Sequence, residues 1–419
     1  MKLNYRRTLL ISLAFMSICA FWQLYDTIIP LILQNTFHLG ETVTGTVMAL
    51  DNVLAVFLLP VFGAFSDKVD TRIGKRIPFI LFGTIGAVIL MMILPIADAS
   101  ENLFLFVTIL LILLITMGAY RSPAVALMPD VTPKPLRSKA NALINLMGAA
   151  GGVYSLFMIK KLIKQVEKPD YTQVFLAVAI LMVFAVAILV STIREKKITI
   201  TTAPQDEEEI LEAGTNKLTK EVQRSLIFLL ASIFLWFMAY NAVTTAFSRY
   251  AIKVWGLKGG EFADCLMVAT VAAILSYIPI GFLSGKFGRK KMIMAGVILL
   301  AASYFAGMLF TEFSPWINVV FAITGIAWAA INVNSYPMVV QMSKGSDVGK
   351  YTGLYYTFSM SAQVITPIAS GFLLEHVSYQ SLFPYAVIFS LFSLCTMIFV
   401  KHGDVRPDKK DSLLENFDS

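Results

Sequence analysis

Apolar residues run along this chain in long unbroken blocks, with neither the alternation of a half-buried strand nor the single stripe of a soluble helix. Twelve blocks stand out, at 9–33, 42–65, 77–95, 103–127, 139–159, 172–193, 225–250, 262–284, 292–311, 316–340, 351–374 and 381–400. A helix rises 1.5 Å per residue, so about 20 apolar residues cross roughly 30 Å of hydrocarbon, and each block is long enough. The pattern predicts an all-α membrane protein whose twelve transmembrane helices form two pseudo-symmetric six-helix bundles. A transmembrane β-barrel is excluded, because barrel strands alternate over about ten residues. The first block follows a basic Met1–Arg7. It is longer than the core of a secretory signal and no small-residue cleavage site follows, so it is expected to stay in the protein.

Composition narrows the class. Of 419 residues, 57% are hydrophobic and 15% charged, against about 45–50% and about 25% in soluble domains. A soluble enzyme and a disordered chain are both excluded. The net charge of +7 would point to nucleic acid in a soluble protein, but its placement gives another reason. With the N-terminus in the cytoplasm, 26 of the 34 Lys and Arg residues fall on the inner side and 7 on the outer side, with Arg121 inside the fourth block. The exception is the loop after the fifth block, which holds Lys160, Lys161, Lys164 and Lys168. The bias predicts a multi-pass protein of the cell membrane with both termini cytoplasmic. The bilayer is then the macromolecular partner, and no nucleic acid is needed. Cys19, Cys265 and Cys395 all lie in apolar blocks, so neither a disulfide framework nor a metal site is expected.

One long loop, between Arg194 and Arg224, divides the chain and carries the acidic run Asp206, Glu207, Glu208 and Glu209. The expected organisation is an N-terminal bundle over 1–193, a solvated linker over 194–224, a C-terminal bundle over 225–400 and a tail over 401–419. The halves echo one another. The second block ends in Gly63-Ala-Phe-Ser-Asp67-Lys68 and continues to Gly74-Lys75-Arg76, while the eighth ends in Gly281-Phe-Leu-Ser-Gly-Lys286 and continues to Gly288-Arg289-Lys290-Lys291. Such a repeat is what a transporter rocking two bundles around a central site requires.

These residues resemble the signature loop of the major facilitator superfamily: a Gly, an Asp four positions on, then a Gly followed by basic residues. The stretch from Asp67 through Thr71, Arg72, Gly74, Lys75, Arg76, Pro78 and Phe79 is similar to the glycoside–pentoside–hexuronide:cation symporters, the group of melibiose permease. A second stretch, Tyr120-Arg121-Ser-Pro123 through Asp130 to Arg137 and Asn141, resembles the sucrose-transporter side of that group. The resemblance implies a cytoplasmic gate at Gly63, Asp67, Lys75, Arg76, Asp130 and Arg137, with Gly281 and Arg289 in the second half. It also brings departures. Anchored on Gly63 and Gly74, the acidic positions that serve sodium in melibiose permease fall at Ala55 and Leu59, which cannot ligate a cation. The sugar-binding acid of its fourth helix falls near Arg121, and the lysine of its eleventh near Gln363.

Ionisable residues inside a bilayer are costly and mark function by default. Asp26, Asp51 and Arg121 lie well inside; Arg249 and Asp264 lie near helix ends, where snorkelling accounts for Arg249. Asp26 and Asp51 both fall roughly 12–13 Å below the outer surface, at 1.5 Å per residue. Two acids at one depth in a poor dielectric are expected to take up the coupling proton; sodium remains the alternative, with Asn52 or Thr27 as extra oxygen ligands. Polar stripes at helical spacing mark a watered cavity: Asn141 and Asn145 in span five, Asn241 and Thr245 in span seven, Asn332 in span ten, Gln363 in span eleven. Trp22, Tyr25, Tyr240 and Trp328 stand beside these stripes and would give a sugar ring an apolar face. Spans three and six are almost wholly apolar and should face lipid.

The expected function is secondary active transport by alternating access: symport of a sugar, glycoside or oligosaccharide with a cation, the proton favoured. No Gly-x4-Gly-Lys-Ser/Thr loop and no Ser/His/Asp arrangement is present, so neither ATP-driven transport nor catalysis is expected, and no cofactor is implied. The alternatives are a symporter of an amphiphile such as a lysolipid, a cation-coupled exporter, and a non-transporting sugar sensor. A monomer is expected.

Overall fold

The computed structural model describes residues 4–132, 137–166, 169–195, 219–342 and 348–404. Asn4 starts the first helix: its side-chain oxygen accepts the Arg7 N–H at 3.0 Å, satisfying one of the donors that a helix N-terminus leaves open. The helices follow as α1 Tyr5–Asn35, α2 Glu41–Lys68, α3 Ile77–Ala99, α4 Leu103–Val131, α5 Arg137–Leu162 and α6 Thr172–Thr192. The second half holds α7 Lys220–Trp255, α8 Ala263–Phe287, α9 Arg289–Met308, α10 Ile317–Gln341, α11 Val348–His376 and, after a short 3₁₀ turn at Tyr379–Ser381, α12 Leu382–Ile398. All twelve, the last taken together with its 3₁₀ turn, are long and apolar enough to cross a membrane.

Each apolar block became one helix. The largest difference in boundary is at α7, which begins at Lys220, so the stretch 220–224, expected in the linker, is helical. Lys220, Glu221 and Arg224 favour helix well enough to prolong it into water, and the Arg224 guanidinium sits 5.7 Å over the Phe228 ring. The acidic run at 206–209 lies outside the described residues.

The packing repeats. In the first half α1 packs on α5 and α6, α3 on α4 and α6, and α2 on α4. In the second, α7 packs on α11 and α12, α9 on α10 and α12, and α8 on α10. Shifting each helix by six turns one set into the other. Between the halves α2 meets α11 and α5 meets α8, again a symmetric pair, while α1 meets α7. The outward faces are apolar: Phe82 on α3 is 70% exposed and Phe184 on α6 is 65% exposed, as lipid-facing surfaces require.

The pseudo-symmetry extends to the helix caps on the face that carries the termini. Gly74, at φ 126°, precedes α3, and Gly288, at φ 94°, precedes α9. A side chain at either position would be strained by the backbone angle and would run into an acid, Glu195 beyond α6 or Asp404 beyond α12. The buried Glu195 carboxylate accepts the N–H groups of Lys75, Arg76 and Ile77 at 3.0–3.1 Å. Asp404 accepts that of Lys290 at 3.2 Å. Acids at helix N-termini meet both the open N–H groups and the positive end of the dipole.

Candidate functional site

The three deep charges come together around the middle of the first half. Trp22 and Asp26 lie one turn apart on α1, Asp51 faces them from α2 and Arg121 from α4. The Arg121 guanidinium carbon sits 5.6 Å from the Trp22 ring centroid, a cation–π contact. Its charge acts on Asp26, on Asp51 and, across the halves, on Tyr356 of α11. Neither acid forms an ion pair with a described residue. Asp51 accepts the Asn52 side-chain N–H at 2.7 Å, and Thr27 accepts that of Gln23 at 3.1 Å. All three charged side chains are half-buried. The geometry is a charge cluster whose acids no ion pair neutralises among the described residues.

The second half contributes an aromatic wall. Tyr240 of α7 and Trp328 of α10 stack with ring centroids 3.7 Å apart and planes 6° from parallel, and Phe237 meets Trp328 edge-on at 5.3 Å. Tyr25, by contrast, is buried: it packs on Phe21 and Trp22 and its hydroxyl donates to the Met48 carbonyl at 3.4 Å. It stiffens the wall rather than surfacing it. The Thr245 hydroxyl donates to the Asn241 carbonyl at 2.7 Å, and the Gln363 amide to the Ser359 carbonyl at 3.3 Å. Asn145 and Asn332 are exposed, whereas the side chain of Asn141 lies outside the described residues. Two buried donors, Trp22 Nε1 and Asn241 Nδ2, have no hydrogen-bond partner among the described residues. Sequence reasoning missed Tyr277 on α8, which lies close to Asn332 and Tyr240 and, across the halves, to Cys19 of α1. A lone Tyr in an apolar block gave no signal. An apolar groove of about 800 Å³ on the flank of α11 and α12, lined by Ile365, Phe372 and Phe389, shares no residue with this centre.

The signature-loop residues assemble at the terminal face. Arg76, 7% exposed at its side chain, pairs with Asp130 of α4 at 2.8 Å and with Asp67 of α2. It also donates to the Ser66 hydroxyl and, at 3.3 Å, to the Gly63 carbonyl. This network joins α2, α4 and the start of α3 inside one half. Lys75 takes part through its backbone N–H alone, its side chain being exposed. Gly281 is half-buried, Arg289 is buried beside Asp404, and the side chain of Arg137 lies outside the described residues.

Arg249 corrects the snorkelling expectation. It is 5% exposed and bonds Glu41, 3% exposed, at 2.9 Å. Tyr379 donates to the other Glu41 oxygen at 2.6 Å. A helix-end arginine reads as solvated until a partner 208 residues away in sequence is brought against it.

The fold has known relatives. The solved structure of the xylose transporter XylE from E. coli in an inward-open conformation matches with a TM-score of 0.71 at 14% identity, over 98% of each chain. That of the nucleoside transporter NupG matches with a TM-score of 0.67 at 15% identity, over 94% of this chain and 98% of the other. By sequence, an uncharacterized MFS-type transporter of Methanocaldococcus jannaschii is 22% identical over 391 residues, 89% of each chain. The sequence profile of the Major Facilitator Superfamily matches residues 11–274 and 255–416. Twelve spanning helices with repeated packing and a polar centre are thus those of a membrane transporter, and the chain belongs to the Major Facilitator Superfamily.

Proposed function

We propose that this protein is a proton-coupled symporter of a sugar, glycoside or oligosaccharide, with both termini in the cytoplasm. The observation that carries the reading is the cluster of Asp26, Asp51 and Arg121, three half-buried charges on three helices with no ion pair among the described residues. A carboxylate in a poor dielectric is neutralised by a proton when no cation pairs with it. Proton uptake by Asp26 or Asp51 changes the charge around Arg121, which links ion binding to the site that holds the ligand. Sodium wants several oxygen ligands. Here the Asn52 amide presents its N–H to Asp51 and the Thr27 oxygen is engaged by Gln23, which favours the proton. The ligand class rests on neutral donors beside aromatic faces: Trp22 Nε1 and Asn241 Nδ2 as hydrogen-bond donors, with Trp22 and the Tyr240–Trp328 pair as apolar surfaces. The flank groove, which an amphiphile would use, does not share residues with the charge cluster. The orientation follows from the inner excess of Lys and Arg.

The test is uptake of labelled mono- and disaccharides into proteoliposomes under a pH gradient, with and without sodium. Accumulation driven by the pH gradient alone, lost in Asp26→Asn and Asp51→Asn, is the expected result. A strict sodium requirement, or full proton-driven accumulation in both variants, refutes proton coupling at these acids. Absence of uptake for every sugar refutes the ligand class.

A further inference from the structure

We propose that Glu41, Arg249 and Tyr379 form the gate of the face opposite the termini, a buried latch between the halves that breaks each time the central site opens to that side. The proposal rests on the superfamily's transport cycle and is independent of the sugar and of the proton.

Glu41 opens α2, in the first half; Arg249 lies near the end of α7 and Tyr379 just before α12, both in the second. The ion pair at 2.9 Å and the hydroxyl bond at 2.6 Å therefore cross from one half to the other. Gln34, at the end of α1, also reaches the Glu41 carboxylate. Beside them the α2 and α11 backbones approach too closely for side chains to interdigitate. A Cβ at Gly45 would lie 2.0 Å from the Pro367 carbonyl oxygen, and one at Gly371 would lie 2.5 Å from that of Glu41. The Thr42 N–H donates to Glu375 at 2.7 Å across the same seam. Surfaces that meet through backbone and glycine part without repacking, so the specific hold at this seam is polar.

A second seam, between α5 and α8, carries the Lys160–Asp264 pair at 2.7 Å. Its side chains are 47% and 33% exposed, so water and salt weaken it. The Glu41–Arg249 pair is desolvated, and removing one partner strands a buried charge. The latch is also wired to the site. Arg249 donates through its second arm to the Thr245 carbonyl at 2.8 Å, and the Thr245 hydroxyl bonds the Asn241 carbonyl one turn deeper. Displacement of this stretch of α7 by a ligand at Asn241 therefore moves the backbone on which Arg249 rests.

The test uses the full chain in lipid nanodiscs, which expose both faces, with Cys19, Cys265 and Cys395 replaced by Ser. One reporter is Met48→Cys, buried about 10 Å inside Glu41 at 1.5 Å per residue. The other is Tyr356→Cys, exposed and facing Arg121. Each is reacted with a water-soluble maleimide. Glu41→Gln is expected to raise the labelling rate at position 48 at least tenfold, by the loss of a buried pair, and to lower the rate at position 356. Tyr379→Phe, which deletes one hydroxyl and keeps the packing, should move both rates the same way by roughly threefold. It carries the test if Glu41→Gln fails to fold. A static brace predicts a lower melting temperature with the ratio of the two rates unchanged. That result, or a rise at both reporters together, overturns the proposal.

Discussion

Replacing Glu195 by alanine is expected to loosen the start of α3 and the Arg76 network that hangs from it. The magnitude follows from the contacts. One carboxylate, 3% exposed, accepts three backbone N–H groups at 3.0–3.1 Å. A hydrogen bond to a charged group contributes about 1.5–3 kcal/mol, and three bonds to one acceptor are not additive, so the loss is about 3–5 kcal/mol. Glutamine keeps one accepting oxygen without the charge, and neutral bonds are roughly half as strong, so Glu195→Gln should cost about 1–2 kcal/mol. For a folding unit the size of one half, each kcal/mol lowers Tm by about 2–4 °C. A tryptophan-fluorescence melt in nanodiscs should therefore fall by roughly 6–20 °C for alanine and about 2–8 °C for glutamine. An alanine variant melting within about 2 °C of the parent would refute the capping argument. So would a glutamine variant as unstable as alanine.

Three further outcomes can be checked. Arg76→Lys keeps the charge but loses the planar fork that reaches Asp67, Asp130 and the Gly63 carbonyl together, and should destabilise the protein by about 3 kcal/mol in the same melt. Arg121→Lys and Arg121→Gln should both weaken substrate binding measured by calorimetry, glutamine more than lysine; unchanged affinity and transport in both would remove Arg121 from the site. Trp328→Ala unstacks Tyr240 and should raise the substrate Kd measured by calorimetry about tenfold, equal to about 1.4 kcal/mol.

The spans were legible because crossing a membrane needs an unbroken apolar block, a constraint that acts on each segment alone. The repeat was legible in Gly63 and Gly281, and the structure extends it to the principal helix pairings within each half. Asp26, Asp51 and Arg121 were legible because a charge inside an apolar block has no local explanation. The rest depends on tertiary contact. Glu41 reads as a polar helix start and Arg249 as a helix end; only folding brings them together and excludes water. Glu195 follows an apolar block as any loop acid might, and its role appears when α6 returns to the start of α3. Tyr25 shows the reverse: an aromatic beside a polar stripe can lie on either side of a cavity wall, and a 3.6-residue period does not say which.

The Lys160–Asp264 pair bears on how the chain enters its membrane. The end of α5 and the loop after it carry four lysines and run against the charge bias, yet in the finished protein Lys160 is matched by an acid of the other half. Asp264 is synthesised 104 residues later, which at about 5–20 residues per second is a delay of roughly 5–20 s. On the proposed orientation, with both termini in the cytoplasm, the lysine-rich stretch crosses the membrane during that interval without its counter-charge. The bias that carries it across then comes from what has already been inserted, the basic N-terminus and the Arg72–Arg76 stretch. The acid takes no part in choosing that orientation. It arrives afterwards, and gives one lysine of the stretch a counter-charge that water and salt still weaken.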